Sequence, residues 1–295
     1  PEKADKNKLA AMMVGREVDL EVEKTESIPG EVVCSIDDLV VADTNDEICI
    51  EALSLDVHAG EIVGVAGVQG NGQTELVYAI TGLMKHVSGK VTILGQDVTN
   101  FTPRQITELG TAHIPEDRQQ DGLVLPFPVA ENLVLATYYQ EPFSKGVILQ
   151  YPVILENAEK LIEEFDIRTP SAMTPVGSLS GGNQQKVIIA RELSRPVKFL
   201  VASQPTRGLD VGSIEYIHKQ IVQKRDEGAG VLLVSPELDE IMELSDRIAV
   251  MYRGRVLAVV PNKGISKENI GLMMAGVIPD IPMQTNETHV VEITL

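Results

Sequence analysis

The chain has 295 residues, with 43 acidic against 25 basic side chains and a formal net charge of -18 at pH 7. That length accommodates one large domain or two modest ones. The charge argues against a nucleic-acid binder, and no apolar run approaches the length of a membrane span. Its two cysteines, Cys34 and Cys49, lie in separate strand-like runs with no His/Cys cluster nearby. That pattern excludes a disulfide framework and a cysteine-ligated metal centre, and it fits a reducing compartment.

Residues 1–30 are charged and lack a strand pattern, apart from the short apolar patch Leu9-Ala10-Ala11-Met12-Met13-Val14. Two Val/Ile-rich runs, Val32 to Val41 and Ile48 to Val57, flank the turn-like Asp43-Thr44-Asn45-Asp46 and predict a hairpin opening an antiparallel subdomain. Glu61-Ile62-Val63-Gly64-Val65-Ala66 predicts a buried strand. It runs into Gly67-Val68-Gln69-Gly70-Asn71-Gly72-Gln73-Thr74 and then a helix from Glu75. Strand, glycine-rich loop and helix are the context of a phosphate-binding loop, whose pattern is Gly, four residues, Gly-Lys-Ser/Thr. Gly67 and Gly72 fit, Thr74 stands at the Mg²⁺-binding hydroxyl, and Gln73 replaces the lysine. Backbone N–H groups can still wrap phosphates, but the ammonium that neutralises them is missing.

Val91 to Gly95 predicts a strand and turn, and Thr102 caps a short helix that has Pro103 at its first position and ends near Gly110. A strand over Thr111–Ile114 leads into Pro115-Glu116-Asp117-Arg118. Residues 128–178 read as mostly helical, with apolar spacing at Ile154, Ala158, Leu161 and Ile162. Leu179-Ser180-Gly181-Gly182-Asn183-Gln184-Gln185-Lys186 predicts a helix start. There Ser180 is the N-cap, and the glycines leave first-turn N–H groups open to an anion. The buried run Phe199-Leu200-Val201-Ala202 ends in Ser203-Gln204 and is followed by Pro205-Thr206-Arg207-Gly208-Leu209-Asp210. Val231 to Val234 predicts the next strand, Asp246 to Met251 and Arg255 to Val260 two more, and Ser266 to Ala275 a last helix. The five histidines are scattered without ligand spacing.

This order of motifs resembles the nucleotide-binding domain of ABC transporters, over nearly the whole chain from Met12 to about Gly276. The resemblance implies an α/β P-loop NTPase fold with an antiparallel β subdomain and a helical subdomain at about 117–180. Residues 31–276 form the ABC domain in this reading, 1–30 a linker from a preceding ATPase half, and 277–295 a mobile tail. It implies ATP and Mg²⁺ as cofactors. Gly67, Gln69, Gly70, Asn71, Gly72, Gln73, Thr74 and Glu75 surround the phosphates, with Thr74 as a weak metal ligand. Leu179, Ser180, Gly181, Gly182, Asn183 and Gln184 correspond to the signature, and Asp210 to the D-loop.

Several of the family's hydrolytic groups are replaced. Gln73 stands for lysine, Ser203 for the Mg²⁺-holding aspartate, Gln204 for the water-polarising glutamate and Pro236 for the histidine at the γ-phosphate. Glu116 stands for the glutamine that touches Mg²⁺ and senses the transporter. No Trp, Tyr or Phe lies between Val32 and Val68, so the family's adenine-stacking contact is expected to be lost.

The finer resemblance is to the second ATPase half of sugar-type importers, and within them to the nucleoside branch. It rests on His113-Ile114-Pro115-Glu116-Asp117-Arg118, Ala202-Ser203-Gln204-Pro205-Thr206, and Leu232-Leu233-Val234-Ser235 followed by Glu237-Leu238-Asp239-Glu240. What it implies is a half at the cytoplasmic face of the membrane that supplies its signature to a partner half's ATP site. Its partners are the N-terminal ATPase half, membrane permeases and a lipoprotein receptor, with no nucleic acid. A simple-sugar importer subunit and a non-catalytic regulatory module are the alternatives.

Overall fold

The computed structural model describes residues 22, 24–279 and 289–290. In chain order the elements are β1 (Val32–Ala42), β2 (Ile48–His58), β3 (Ile62–Ala66), α1 (Gln73–Ile80), β4 (Ser88–Ile93), β5 (Gln96–Asp97), α2 (Pro103–Glu108) and β6 (Thr111–Ile114). A π-helical turn (Arg118–Gly122) precedes α3 (Val129–Leu133), the hairpin β7 (Ser144–Lys145) and β8 (Ile148–Leu149), α4 (Tyr151–Glu164) and α5 (Gly181–Leu193). Then follow β9 (Phe199–Ser203), α6 (Val211–Asp226), β10 (Gly230–Ser235), α7 (Leu238–Leu244), β11 (Arg247–Tyr252), β12 (Arg255–Pro261), α8 (Lys267–Met274) and β13 (His289–Val290).

The chain divides into two compact units. One, spanning 22–113, 198–204 and 221–295, holds the sheets. Its larger sheet has the order β13-β12-β11-β3-β10-β9-β6, and its smaller one the order β2-β1-β4-β5. Strands β3, β9 and β10 are buried at every residue, as parallel central strands must be when both faces are covered. β10 lies parallel between β3 and β9, and β11 runs parallel on the other side of β3. The predicted hairpin forms: β1 pairs antiparallel with β2 and with β4. Residues of both sheets and of α1, among them Ile36, Leu39, Leu53, Val65, Leu76, Ile80, Val201 and Leu232, share one apolar core. At the far edge His289–Val290 pairs with β12. Most of the expected linker, and most of the segment expected to be a tail, lie outside the described residues.

Among the described residues, the other unit spans 114–197 and 205–220. Of the apolar positions predicted for α4, Ile154, Ala158 and Leu161 are buried on one face and Ile162 is half-buried. The expectation of mostly helix over 128–178 is not met. Helix α3 is a single turn, and the hairpin β7–β8 and irregular backbone separate it from α4. Local chemistry explains this. Gly146 takes φ +62° at the hairpin turn, Pro152 sits in the first turn of α4, and the fully buried Asn132 satisfies loop backbone rather than helix. Its side chain accepts from the Val124 N–H and donates to the carbonyls of Val124, Phe127 and Pro128.

Candidate functional site

In the sheet-bearing unit, β3 ends at Ala66 and the glycine loop begins. Val68, Gln69 and Gly70 form its exposed apex, while Gly67, Gly72 and Gln73 are buried. Gly70 and Gly72 have φ +90° and +100°, a region open to glycine, and a Cβ on Gly70 would find no atom within 4 Å. Gly72 is the N-cap of α1 and no side chain caps that first turn. The loop therefore presents backbone N–H groups and the positive end of α1 beside an exposed apex that no other atom crowds at Gly70. Asn71 holds its shape. The Asn71 N–H donates to the Val68 carbonyl at 3.1 Å, and its carbonyl accepts from Gly254 N–H at 2.9 Å. Asn71 Oδ1 accepts from Arg253 N–H at 3.2 Å.

Gln73 does not point into solvent. Its amide end doubles back on the loop, so a Cβ on Gly67 would sit 2.7 Å from Gln73 Nε2. Thr74 and Glu75 are half-buried at the start of α1. Ser203 closes β9 and is level with Val65, because Val234 of β10 pairs with both. Two strand spacings, roughly 10 Å, thus separate Ser203 from the strand that feeds the loop. Gln204 follows at φ +44°, with its N–H donating to the Val234 carbonyl at 2.7 Å. Pro236 follows β10, where the hydroxyl of buried Ser235 accepts from the Glu237 N–H at 3.1 Å.

The second set of predicted residues lies in the other unit. Ser180 caps α5 and is exposed, with its hydroxyl 3.0 Å from Asn183 Nδ2. Asn183 Oδ1 accepts from Arg168 N–H at 2.8 Å. Gln184 is buried and donates to the Leu179 carbonyl at 3.2 Å. Gly182 is required by packing, since a Cβ there would lie 2.4 Å from Ser213 Oγ and 3.3 Å from Asp210 Oδ2. Asp210 accepts from the Ser213 N–H and hydroxyl at 3.0 and 2.8 Å. Burial pushes its carboxyl up, but the Ser213 bonds and backbone N–H groups outweigh that and hold it below the usual range. Glu116 pairs with Arg207 at 2.7 Å, and Arg118 donates to the Arg207 carbonyl at 2.9 Å.

Linear reading missed three contributors: the Arg253 N–H that fixes Asn71, the buried Ser235 hydroxyl, and the placement of Arg118 and Arg207. Pro115-Glu116-Asp117-Arg118 marked the region, but no local pattern pairs residue 116 with residue 207.

A buried parallel sheet, a glycine loop leading into a helix and polar residues at the carboxyl ends of adjacent strands define a P-loop nucleotide-binding domain. The family model described as ABC transporter matches residues 50–207, more than half of the chain, and the chain belongs to that family. It is 51% identical over 272 residues to the guanosine import ATP-binding protein NupO of Bacillus subtilis, covering 92% of this chain and 53% of that protein. With the nucleoside import ATP-binding protein NupA of Lactococcus lactis it shares 53% identity over 268 residues, covering 91% and 53%. The chain thus spans about half the length of the curated relatives it matches. The fold is similar to a solved ATP-binding subunit of an ABC transporter, with TM-score 0.67, 22% identity, and 82% and 99% of the two chains covered.

Domains of this family bind ATP with Mg²⁺. The open, glycine-lined loop fits a polyphosphate. The metal part fits less well. Thr74, Ser203 and Gln204 offer hydroxyl and amide oxygens, β9 ends without a carboxylate, and no cluster of three His, Cys, Asp or Glu occurs among the described residues. No helix among them is long and apolar enough to cross a membrane.

Proposed function

We propose that this chain is the energy-coupling ATP-binding half of an ABC importer for nucleosides, and that it completes an ATP site on a preceding cassette rather than hydrolysing ATP itself. One observation carries this reading. The signature segment and Asp210 are fully built, whereas the ends of β9 and β10 hold Ser203, Gln204 and Pro236 in place of acid, base and imidazole. The names of NupO and NupA support the cargo class, and a match to about half of their length is what a chain corresponding to one of two halves would give.

In this mechanism Gly67 to Thr74 holds phosphates through backbone N–H groups and the Gln73 amide. Ser203 adds no charge and Gln204 orients water without taking its proton, so the local site retains nucleotide. The Ser180 hydroxyl and the N–H groups of Gly181 and Gly182 are offered to the γ-phosphate bound by the partner cassette, stabilising closure and transition-state charge. Residues 1–30 serve as the linker, permeases and a lipoprotein receptor are partners, and the protein sits peripherally at the cytoplasmic face.

The test is ATP turnover by the full-length protein with its membrane partners. Ser180→Arg, which puts a bulky side chain on the signature, is expected to abolish turnover. Robust ATPase by this chain alone, lost on changing Gln73 or Thr74, would overturn the proposal.

A further inference from the structure

The Pro115-Glu116-Asp117-Arg118 motif is not used by the mechanism above, yet its last residue, Arg118, lies against the signature. The π-helical turn it opens, Arg118–Gly122, lies along one face of α5. Arg118 Nη2 stands 2.8 Å from the position of a Cβ on Gly181. Gln119 Nε2 donates to Gln184 Oε1 at 3.1 Å. A Cβ on Gly122 would lie 2.6 Å from Ile188 Cδ1, and Arg191 donates to the Gly122 carbonyl at 2.7 Å. Residues 181, 184, 188 and 191 are one helical stripe. π-turns are rare and concentrate at functional sites.

Arg118 is held from its other side. Its Nη1 donates to the carbonyl of Arg207, whose own guanidinium pairs with Glu116. Asp117 stands beside them, exposed, accepting from the Gln119 and Gln120 N–H groups. Buried Arg118 Nε has no hydrogen-bond partner, which disfavours this placement. The Glu116–Arg207 pair, with Arg207 54% exposed, adds little stability. The arrangement is therefore not explained as a stabilising device; its geometric effect is to set the first turn of α5 against the segment that ends in Asp210.

We infer that Arg118 is a positioning residue for the signature: seated by the Glu116–Arg207 pair, it sets the orientation of Gly181 and the neighbouring N–H groups. This rests on the reading that the signature completes an ATP site on another cassette. Glu116 is then tied to the signature through Arg207 and Arg118.

The experiment compares the full-length protein with its membrane partners as parent, Arg118→Gln, Glu116→Gln and Ser180→Arg. It measures ATP kcat and KM, together with amide hydrogen exchange over 180–184. Arg118→Gln is expected to lower kcat roughly ten- to a hundredfold, since small misplacement of a transition-state contact has that effect. ATP KM stays within about twofold, because the nucleotide is held by the other cassette. Exchange at Gly181 to Asn183 accelerates. Glu116→Gln shows the same pattern more weakly and serves where Arg118→Gln fails to fold. Unchanged kcat and exchange in both variants, with Ser180→Arg inactive, overturns the positioning role alone. If Ser180→Arg retains full ATPase, the signature reading falls instead. Exchange then decides the contact: unaltered protection over 180–184 in Arg118→Gln overturns it as well.

Discussion

Replacing Gln73 by lysine restores the ammonium that the phosphate loop lacks, and the structure sets how much that gains. The side chain at 73 is only 7% exposed and already lies against Gly67. A lysine there is delivered to the loop without reorganising the backbone. A unit-charge pair at 4 Å near a protein surface is worth about 4 kcal/mol. Dehydrating the ammonium at a buried position takes part of this back. The net then resembles a hydrogen bond to a charged group, about 1.5–3 kcal/mol. At about 1.4 kcal/mol per decade, Gln73→Lys tightens ATP binding roughly ten- to a hundredfold. The assay is calorimetric titration of ATP and ADP into parent and variant. Thermal unfolding supplies an internal control. Without nucleotide the variant melts lower, because a buried cation has no phosphate to pair with, and with nucleotide it gains more than the parent. No hydrolysis appears, since Ser203 and Gln204 are unchanged. Equal ATP affinity in the two proteins would refute the claim that the missing charge limits this site.

Two further substitutions read the scaffold. Gly72→Ala meets both a backbone φ of +100° and a Cβ 2.7 Å from the Cys49 carbonyl; urea unfolding should show a loss of at least about 1–3 kcal/mol from the strained conformation alone. Glu192 is buried between Arg191 and Arg195. Burial pushes its carboxyl up, the two guanidiniums pull it down, and the net is a lowered value. A carboxyl depressed in the folded state contributes stability above its unfolded value near about 4.3, and that contribution is lost as pH falls through the folded value. Glu192→Gln is therefore expected to be less stable than the parent at pH 7. The difference should shrink as pH drops below about 4; a difference constant from pH 7 to 3 would contradict the assignment.

Much of the fold is legible in the linear chain because it is local. Val/Ile-rich runs on either side of Asp43-Thr44-Asn45-Asp46 mark two strands, and Thr102-Pro103 marks a helix start that forms, with Gln105 completing a capping box the sequence reading did not name. Ser180 at the head of α5 does its capping from three residues away. Where local signals compete the reading failed: between 128 and 178 apolar spacing suggested more helix than forms, because a buried asparagine and a glycine turn redirect the backbone.

By itself the sequence determined the strand–loop–helix units, the caps and the inventory of replaced groups, since each depends on neighbours a few residues apart. Only the tertiary structure decided which strands lie side by side, so that Ser203 stands level with Val65 through Val234. It also decided that Asn71 is fixed by the backbone at 253 and 254, and that Glu116 meets Arg207. The Arg253–Asn71 and Arg207–Glu116 pairings join residues 182 and 91 positions apart. They form because burying the sheet and α5 closes the intervening loops, an outcome of packing that no short window of sequence contains.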